Sequence, residues 1–257
     1  MPLLECQAVS RHFGGLKAVN NFNLTLEVGE LVGLIGPNGA GKTTAFNVIS
    51  GIFPATQGKV LFQGRSLEGI PPYRVTQLGI ARTFQNIRLF KQMTVLDNVR
   101  TVMHHRVGYG LFDALLHTPR YAVREAEITA KAEALLERMN LLNRKHERAG
   151  SLPYGDQRRL EIARALALEP HLLLLDEPAA GMNPSEVSSL LAMIRSIKQD
   201  FNLTVLLIEH QMGLVMNLCE RLVVLDFGET IAEGTPSEIQ NNPQVLEAYL
   251  GKGVEAS

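Results

Sequence analysis

The sequence predicts an α/β protein with a mainly parallel sheet. Three observations carry this. Short apolar runs alternate with longer helical patterns, Gly- and Pro-containing turns separate them, and one compact run, Leu31–Ile35, leads directly into a glycine-rich loop. With 257 residues, 46% of them apolar and 20% charged, the chain has ample length for a buried core and too much apolar content for disorder.

Taken in order, Leu3–Val9 and Phe22–Val28 read as early strands, expected to form an antiparallel β part, and Gly29-Glu30 marks a turn. Leu31–Ile35 is a buried strand, Lys42–Ile49 a helix, and Gly58–Phe62 a strand closed by the turn at Gln63-Gly64. Thr94-Val-Leu-Asp97 has the pattern of a capped start for a helix to Met103. Thr118-Pro119 supplies an N-cap and a first-turn proline for a long helix to Met139. Within that helix Ala122, Ala126, Thr129, Ala132, Leu136 and Met139 fall three or four apart and predict one packed face. Arg124, Glu125, Lys131 and Glu137 lie off that stripe and predict a solvated face. Residues 85–169 therefore read as a helical subdomain inserted into a core made of 1–84 and 170–257. Beyond it, Leu172–Leu175, Thr204–Ile208 and Leu222–Leu225 are further strands. Asn183-Pro184-Ser185-Glu186 and Thr235-Pro236-Ser237-Glu238 each combine a cap with a first-turn proline, and each opens a helix.

Bulk composition removes several functional classes. Lys and Arg number 25 against 26 Asp and Glu, so the net charge is -1 and no broad basic field exists for nucleic acid. The two cysteines, Cys6 and Cys219, are too few for a disulfide framework and fit a reducing compartment. Leu172–Leu175 and Val205–Ile208 fall far short of the roughly 18–20 apolar residues that a membrane span needs. The start, Met1-Pro-Leu-Leu-Glu5, lacks the basic-then-apolar order of a signal peptide, so a soluble, cytosolic chain is expected.

The chemistry begins at Gly36-Pro37-Asn38-Gly39-Ala40-Gly41-Lys42-Thr43, followed by Thr44, which satisfies G-x-x-x-x-G-K-[ST] between a strand and a helix. Glycines let backbone N–H groups converge on phosphate oxygens, and the helix N-terminus adds its positive dipole end. Lys42 is expected to reach the β- and γ-phosphates and the Thr43 hydroxyl to hold Mg²⁺. Average residue usage produces this pattern by chance in roughly one chain in a hundred of this length. The loop therefore reads as a nucleoside triphosphate site. Leu172-Leu-Leu-Leu-Asp176-Glu177 supplies two carboxylates at a strand end: Asp176 for the magnesium shell, Glu177 to orient or deprotonate an attacking water. Separate metal and base roles favour hydrolysis over simple binding.

With these two motifs in place, the chain resembles the ABC-type ATPases, the nucleotide-binding subunits of ATP-driven transporters, and the resemblance covers nearly its whole length. It implies a single ATPase domain that takes ATP and Mg²⁺. Gln85, in Arg82-Thr-Phe-Gln85, matches the family's glutamine that contacts Mg²⁺ and senses the membrane subunit. His210, in Leu207-Ile-Glu-His210, matches the histidine that contacts the γ-phosphate, and Phe13 sits where the family stacks a ring on adenine. Ala180-Gly181-Met182-Asn183 occupies the D-loop, with Asn183 where aspartate is commoner; it can still cap the helix that follows.

The family signature, L-S-G-G-Q, stands here as Leu152-Pro153-Tyr154-Gly155-Asp156, followed by Gln157. In the family this segment contacts ATP held by the opposite subunit. Pro153 has neither hydroxyl nor N–H, so a weakened composite site is expected, with the Gly155 N–H and the helix dipole retained.

Within the family, Arg82–Phe90, Met93-Thr-Val, Gly110-Leu-Phe, Tyr154–Glu161 and Asn242–Gly251 are similar to ATPases of branched-chain amino acid importers. That resemblance implies a second, non-identical ATPase as partner, or self-pairing as a homodimer. It also implies two permease subunits, a periplasmic binding protein acting indirectly, and a place on the cytoplasmic face of the inner membrane. Other cargoes, such as amides, urea or an exported lipid, remain open because the substrate does not touch this subunit. A soluble ABC protein of translation or DNA repair would carry two cassettes or a long coiled coil. A switch GTPase would carry N-K-x-D, and a small-molecule kinase would need neither the signature helix nor His210.

Overall fold

The early apolar runs pair with one another rather than with the buried strand that follows them. In the computed structural model, which describes residues 1–104 and 110–250, β1 (Leu4–Phe13) and β2 (Leu16–Leu26) form a hairpin. β4 (Gln57–Phe62) adds to β1 and β5 (Arg65–Ser66) to β4, giving an antiparallel sheet of order β2-β1-β4-β5. Both early strands run longer than the apolar pattern predicts, because the hairpin pairs down to Phe13 and Leu16. Cross-strand hydrogen bonds extend a ladder into polar sequence that hydropathy alone does not mark.

The second sheet contains β3 (Leu31–Ile35), β6 (Ile80–Arg82), β7 (Leu172–Asp176), β8 (Thr204–Ile208), β9 (Arg221–Asp226) and β10 (Glu229–Gly234) in the order β10-β9-β3-β8-β7-β6. All neighbours are parallel except the β9–β10 hairpin. Every residue of β3, β7 and β8 is buried, which is why these strands read as unbroken apolar runs rather than alternating ones. Their carboxyl ends share one edge, so the loop after Ile35, the Asp176-Glu177 pair and the segment after Ile208 meet there, where parallel sheets place ligands.

The chain divides into two units: residues 1–85 with the described residues from His171 on, and Asn86–Pro170. The first holds both sheets with α1 (Lys42–Ile49), α2 (Pro72–Gln77), α7 (Pro184–Asp200), α8 (Met212–Leu218), α9 (Pro236–Gln240) and α10 (Pro243–Leu250). Phe22, Phe46 and Phe62 anchor its core together with Leu34, Leu174 and Leu206. Gly251, the last residue of the C-terminal similarity, lies outside the described residues. Among the described residues no helix is long and apolar enough to cross a membrane.

The second unit packs α3 (Val95–Met103), α5 (Pro119–Arg138) and α6 (Tyr154–Leu166), with the short α4 (Leu111–Leu116) before α5. The Thr94 hydroxyl accepts from the Asp97 N–H and the Thr118 hydroxyl from the Tyr121 N–H, the two caps expected from sequence. The predicted α5 stripe needs correction. Ala132, Leu136 and Met139 are buried, but Ala122 and Ala126 are exposed, and Leu135 joins the buried set. Glu125, expected on the solvated face, is instead part-buried, 2.6 Å from Arg100 and 3.0 Å from His104. Periodicity marks a face, but which turns of it are covered depends on how far the neighbouring helix extends.

Candidate nucleotide site

The loop after β3 is built by backbone that only glycine can supply. Gly36 has φ +145°, and a Cβ there would sit 2.0 Å from the Leu225 carbonyl oxygen; at Gly41, φ +103°, it would sit 2.3 Å from that of Ala18. Either substitution would push the loop off its neighbours. α1 starts at Lys42 with Gly41 as its N-cap, so the first N–H groups of the helix point into the loop. Lys42 is buried, and its Nζ donates to the carbonyls of Gly36 at 2.7 Å and Pro37 at 2.8 Å. Burial pushes its pKa down, while the charges of Glu177 and Asp176 push it back up.

The three residues singled out from distant parts of the sequence converge on one carboxylate. Gln85 Nε2 donates to Glu177 Oε2 at 2.7 Å, and His210 Nε2 lies 3.3 Å from the same oxygen. Glu177 follows the end of β7 with φ +48°, a left-handed conformation that costs a non-glycine residue energy, and its N–H is held by the Ile208 carbonyl at 2.9 Å. A cleft of about 400 Å³ is lined by Phe13, Leu16, Lys17, Ala18, the loop from Asn38 to Thr44, Glu177 and Phe227. Phe13 therefore stands on the same cleft as the loop. Its ring lies under the Arg11 guanidinium, 4.6 Å from the centroid, and meets the Phe53 ring edge-on at 5.3 Å.

Asp176, expected in the magnesium shell, is held by an arginine. Its Oδ2 is 2.8 Å from Arg82 Nη2, with both side chains nearly fully buried, and Arg82 Nη1 also reaches Asn47 Oδ1 at 2.7 Å and Ser50 Oγ at 3.1 Å. The same arginine lies over the rings of Phe46 and Phe84.

After Glu177 the chain turns tightly, with Ala180 N–H donating to the Glu177 carbonyl, Met182 N–H to that of Ala179, and Gly181 at φ +76°. Asn183 then caps α7: its Oδ1 accepts from the Ser185 and Glu186 N–H groups, and Glu186 accepts from the Asn183 N–H. In the second unit, Leu152 is buried and Pro153 is the N-cap of α6 with no side-chain cap bond. Gly155 is the second residue of that helix, among the first four N–H groups that have no intrahelical acceptor. Asp156 is bound by Arg144 at 2.6 Å, Gln157 Nε2 donates to the Leu152 carbonyl, and Tyr154 is exposed above the buried Arg158.

Comparison with known proteins decides the family. Residues 19–180 match the ABC transporter family. The chain belongs to the ATP-binding subunits of ABC transporters. A second family, the branched-chain amino acid ATP-binding cassette transporters, matches residues 229–255. Among similar ABC proteins, the high-affinity branched-chain amino acid transport ATP-binding protein LivG of Escherichia coli K12 is 47% identical over 98% of each chain. BraF of Pseudomonas aeruginosa, of the same description, is 44% identical over 98% of each chain. The lipopolysaccharide export ATP-binding protein LptB of Haemophilus influenzae is 34% identical, again over 98% of each. Among solved ABC cassettes, the ADP conformation of MJ1267 aligns with a TM-score of 0.85 at 32% identity, covering 98% of this chain and all of that one.

Three residues around the ABC site escaped the sequence reading. Arg82 sits inside the quoted Arg82-Thr-Phe-Gln85 segment, but its partner is 94 positions away. Glu209 is buried beside His210 and accepts from the Ala179 N–H at 3.0 Å and the His210 N–H at 3.2 Å. Burial raises its pKa, and these backbone N–H groups, with that of Gln211, oppose the rise. A carboxylate directly before His210 was a readable signal. Phe227 carried none, since a single aromatic after a strand is unremarkable.

Proposed function

We propose that this ABC subunit binds MgATP in the cleft and hydrolyses it to drive uptake of branched-chain amino acids. The observation that carries the hydrolytic reading is the Glu177 carboxylate, held between Gln85 and His210 beside the phosphate-binding loop. Lys42 exchanges the Gly36 and Pro37 carbonyls for phosphate oxygens, and the loop amides take the rest. Phe13 takes the base. Glu177 accepts a proton from the water that attacks the γ-phosphorus, as the bond to the ADP oxygen breaks, and His210 orients the γ-phosphate.

The oxygen donors suit a hard cation: the Thr43 hydroxyl on the cleft and the Gln85 amide oxygen would hold it, and the Asp176 carboxylate, buried against Arg82, would act on it through water. Mg²⁺ held there would neutralise charge on the phosphate oxygens. The names of the 47% and 44% identical relatives and the match at residues 229–255 support branched-chain amino acids as cargo over the lipopolysaccharide of the 34% identical one.

The chain works with permease subunits. The finer assembly is two permeases, a second ATPase that is non-identical or a further copy of this chain, and a periplasmic binding protein that supplies substrate. It places this subunit on the cytoplasmic face of the inner membrane. The Asn86–Pro170 unit acts as the helical subdomain of a single ATPase domain, and its signature, Leu152 to Gln157, acts on the partner's ATP. The D-loop, Ala180 to Asn183, lies at the same partner contact.

The test is to tag the chain in its native cell, purify it from gently solubilised membranes and identify what accompanies it. Recovery of two permeases and a second ATPase, with ATP-dependent transport of leucine, isoleucine and valine, is expected. Recovery of soluble partners alone would overturn the transport reading.

A further inference from the structure

The β9–β10 turn carries an apolar side chain for which the chemistry above has no use. Phe227 is 87% exposed, and its φ of +43° lies in the left-handed region, a conformation that a bulky residue adopts only at a cost. The turn is nonetheless fixed in place. The Gly228 N–H donates to the Ala40 carbonyl of the phosphate-binding loop at 2.9 Å, and the Asn20 N–H donates to the Gly228 carbonyl at 2.8 Å. A Cβ on Gly228, at φ +83°, would press within 3.0 Å of the Ala18 oxygen and the Val19 Cα, so the turn lies tight against β2. Strained backbone, two anchoring hydrogen bonds and a close approach together hold an exposed ring on the cleft that Phe13, Leu16 and Lys42 line.

A phenyl ring has no hydrogen bond to offer a triphosphate; the part of ATP it can meet is the nucleoside. Phe13 offers a base only part of its ring, because Arg11 lies over the ring and Phe53 meets it edge-on, so a second ring on the cleft adds apolar contact that Phe13 does not supply. We infer that Phe227 is a second aromatic wall of the nucleotide site and contacts the nucleobase end of bound ATP together with Phe13. This rests on the nucleotide-site reading above. Removal of the ring leaves the phosphate contacts intact and weakens only ligands that carry a base.

Calorimetric titration of the full chain with MgATP and with inorganic tripolyphosphate separates these contributions. Phe227→Ala is expected to weaken ATP about 3- to 10-fold, the scale of one aromatic contact, and to leave tripolyphosphate binding unchanged. The chain contains no tryptophan, so Phe227→Trp places the sole indole at the cleft. Its emission should change with ATP and not with tripolyphosphate. Unchanged ATP affinity in Phe227→Ala, or equal losses for both ligands, would overturn the proposal, the first pointing to a protein partner for this ring and the second to a purely structural turn. Lys42→Ala serves as the control. If wild type binds neither ligand, or if Lys42→Ala leaves both intact, the nucleotide-site reading itself fails and the proposal with it.

Discussion

Gln85 donates a 2.7 Å hydrogen bond to Glu177, across 92 positions of sequence. The bond ties the third residue beyond β6 to the one that follows β7, and His210, two residues beyond β8, approaches the same oxygen. The ends of three neighbouring strands thus meet at one carboxylate, and a change at any of them reaches the position of the Glu177 side chain.

Glu177→Gln should slow ATP hydrolysis by about 10²–10⁴-fold, the scale of a general base, with ATP affinity retained. Steady-state phosphate release beside equilibrium binding separates the two effects. Wild-type turnover in the variant would remove Glu177 from that role.

Arg82→Met should cost about 3–5 kcal/mol of stability, because it strands the Asp176 carboxylate in a site where both partners are nearly fully buried. Urea unfolding measures the loss. Adding Asp176→Asn should recover part of it; if the double variant is no more stable than the single one, the ion pair is not the cause.

Cys6 and Cys219 are buried, and burial raises each thiol from 9.0 to about 12, assisted at Cys219 by the charges of Glu220 and Glu209. Because the folded values lie above the unfolded ones, the stability linked to these thiols is full below pH 9 and is lost as pH rises through about 12. Two measurements follow. Neither thiol should react with iodoacetamide at pH 8 until the chain unfolds, and Cys6→Ala should flatten the loss of stability above pH 9. Rapid labelling of the folded chain would contradict the burial.

Asn183→Ala should lower stability by about 1 kcal/mol through loss of the α7 cap, and Asn183→Asp should be nearly neutral. Equal losses in the two variants would show that the side-chain amide has a second role.

Pro153→Ser should raise ATP hydrolysis in the assembled transporter, since it restores a hydroxyl and an N–H at the N-cap of α6. Unchanged activity would show that Gly155 and the helix N-terminus suffice.

What could be read directly was local. The phosphate-binding loop needs its glycines and lysine within eight positions, and the caps at Thr94, Thr118, Asn183 and Thr235 bond to N–H groups two or three residues on. β3, β7 and β8 announced themselves because both of their faces are covered, so Leu172–Leu175 and Val205–Ile208 are unbroken apolar runs and Leu31–Ile35 is interrupted by Gly33 alone. β6 was missed because three residues carry no period, and the first turns of α5 were misread because Ala122 and Ala126 are exposed although they share the stripe's spacing. The carboxylate pair at a strand end singled out Glu177 and the order of the family motifs Gln85 and His210, but neither showed their meeting at one oxygen. The loop, most strands and the helix starts follow from the order of residues along the chain, because each depends on residues a few positions apart. That Arg82 holds Asp176, that Glu209 joins Ala179 to His210, and that Phe227 stands at the cleft came from the packing of the folded chain. Each of those depends on how the sheet orders its strands in space, and hydropathy along the chain carries no record of that order.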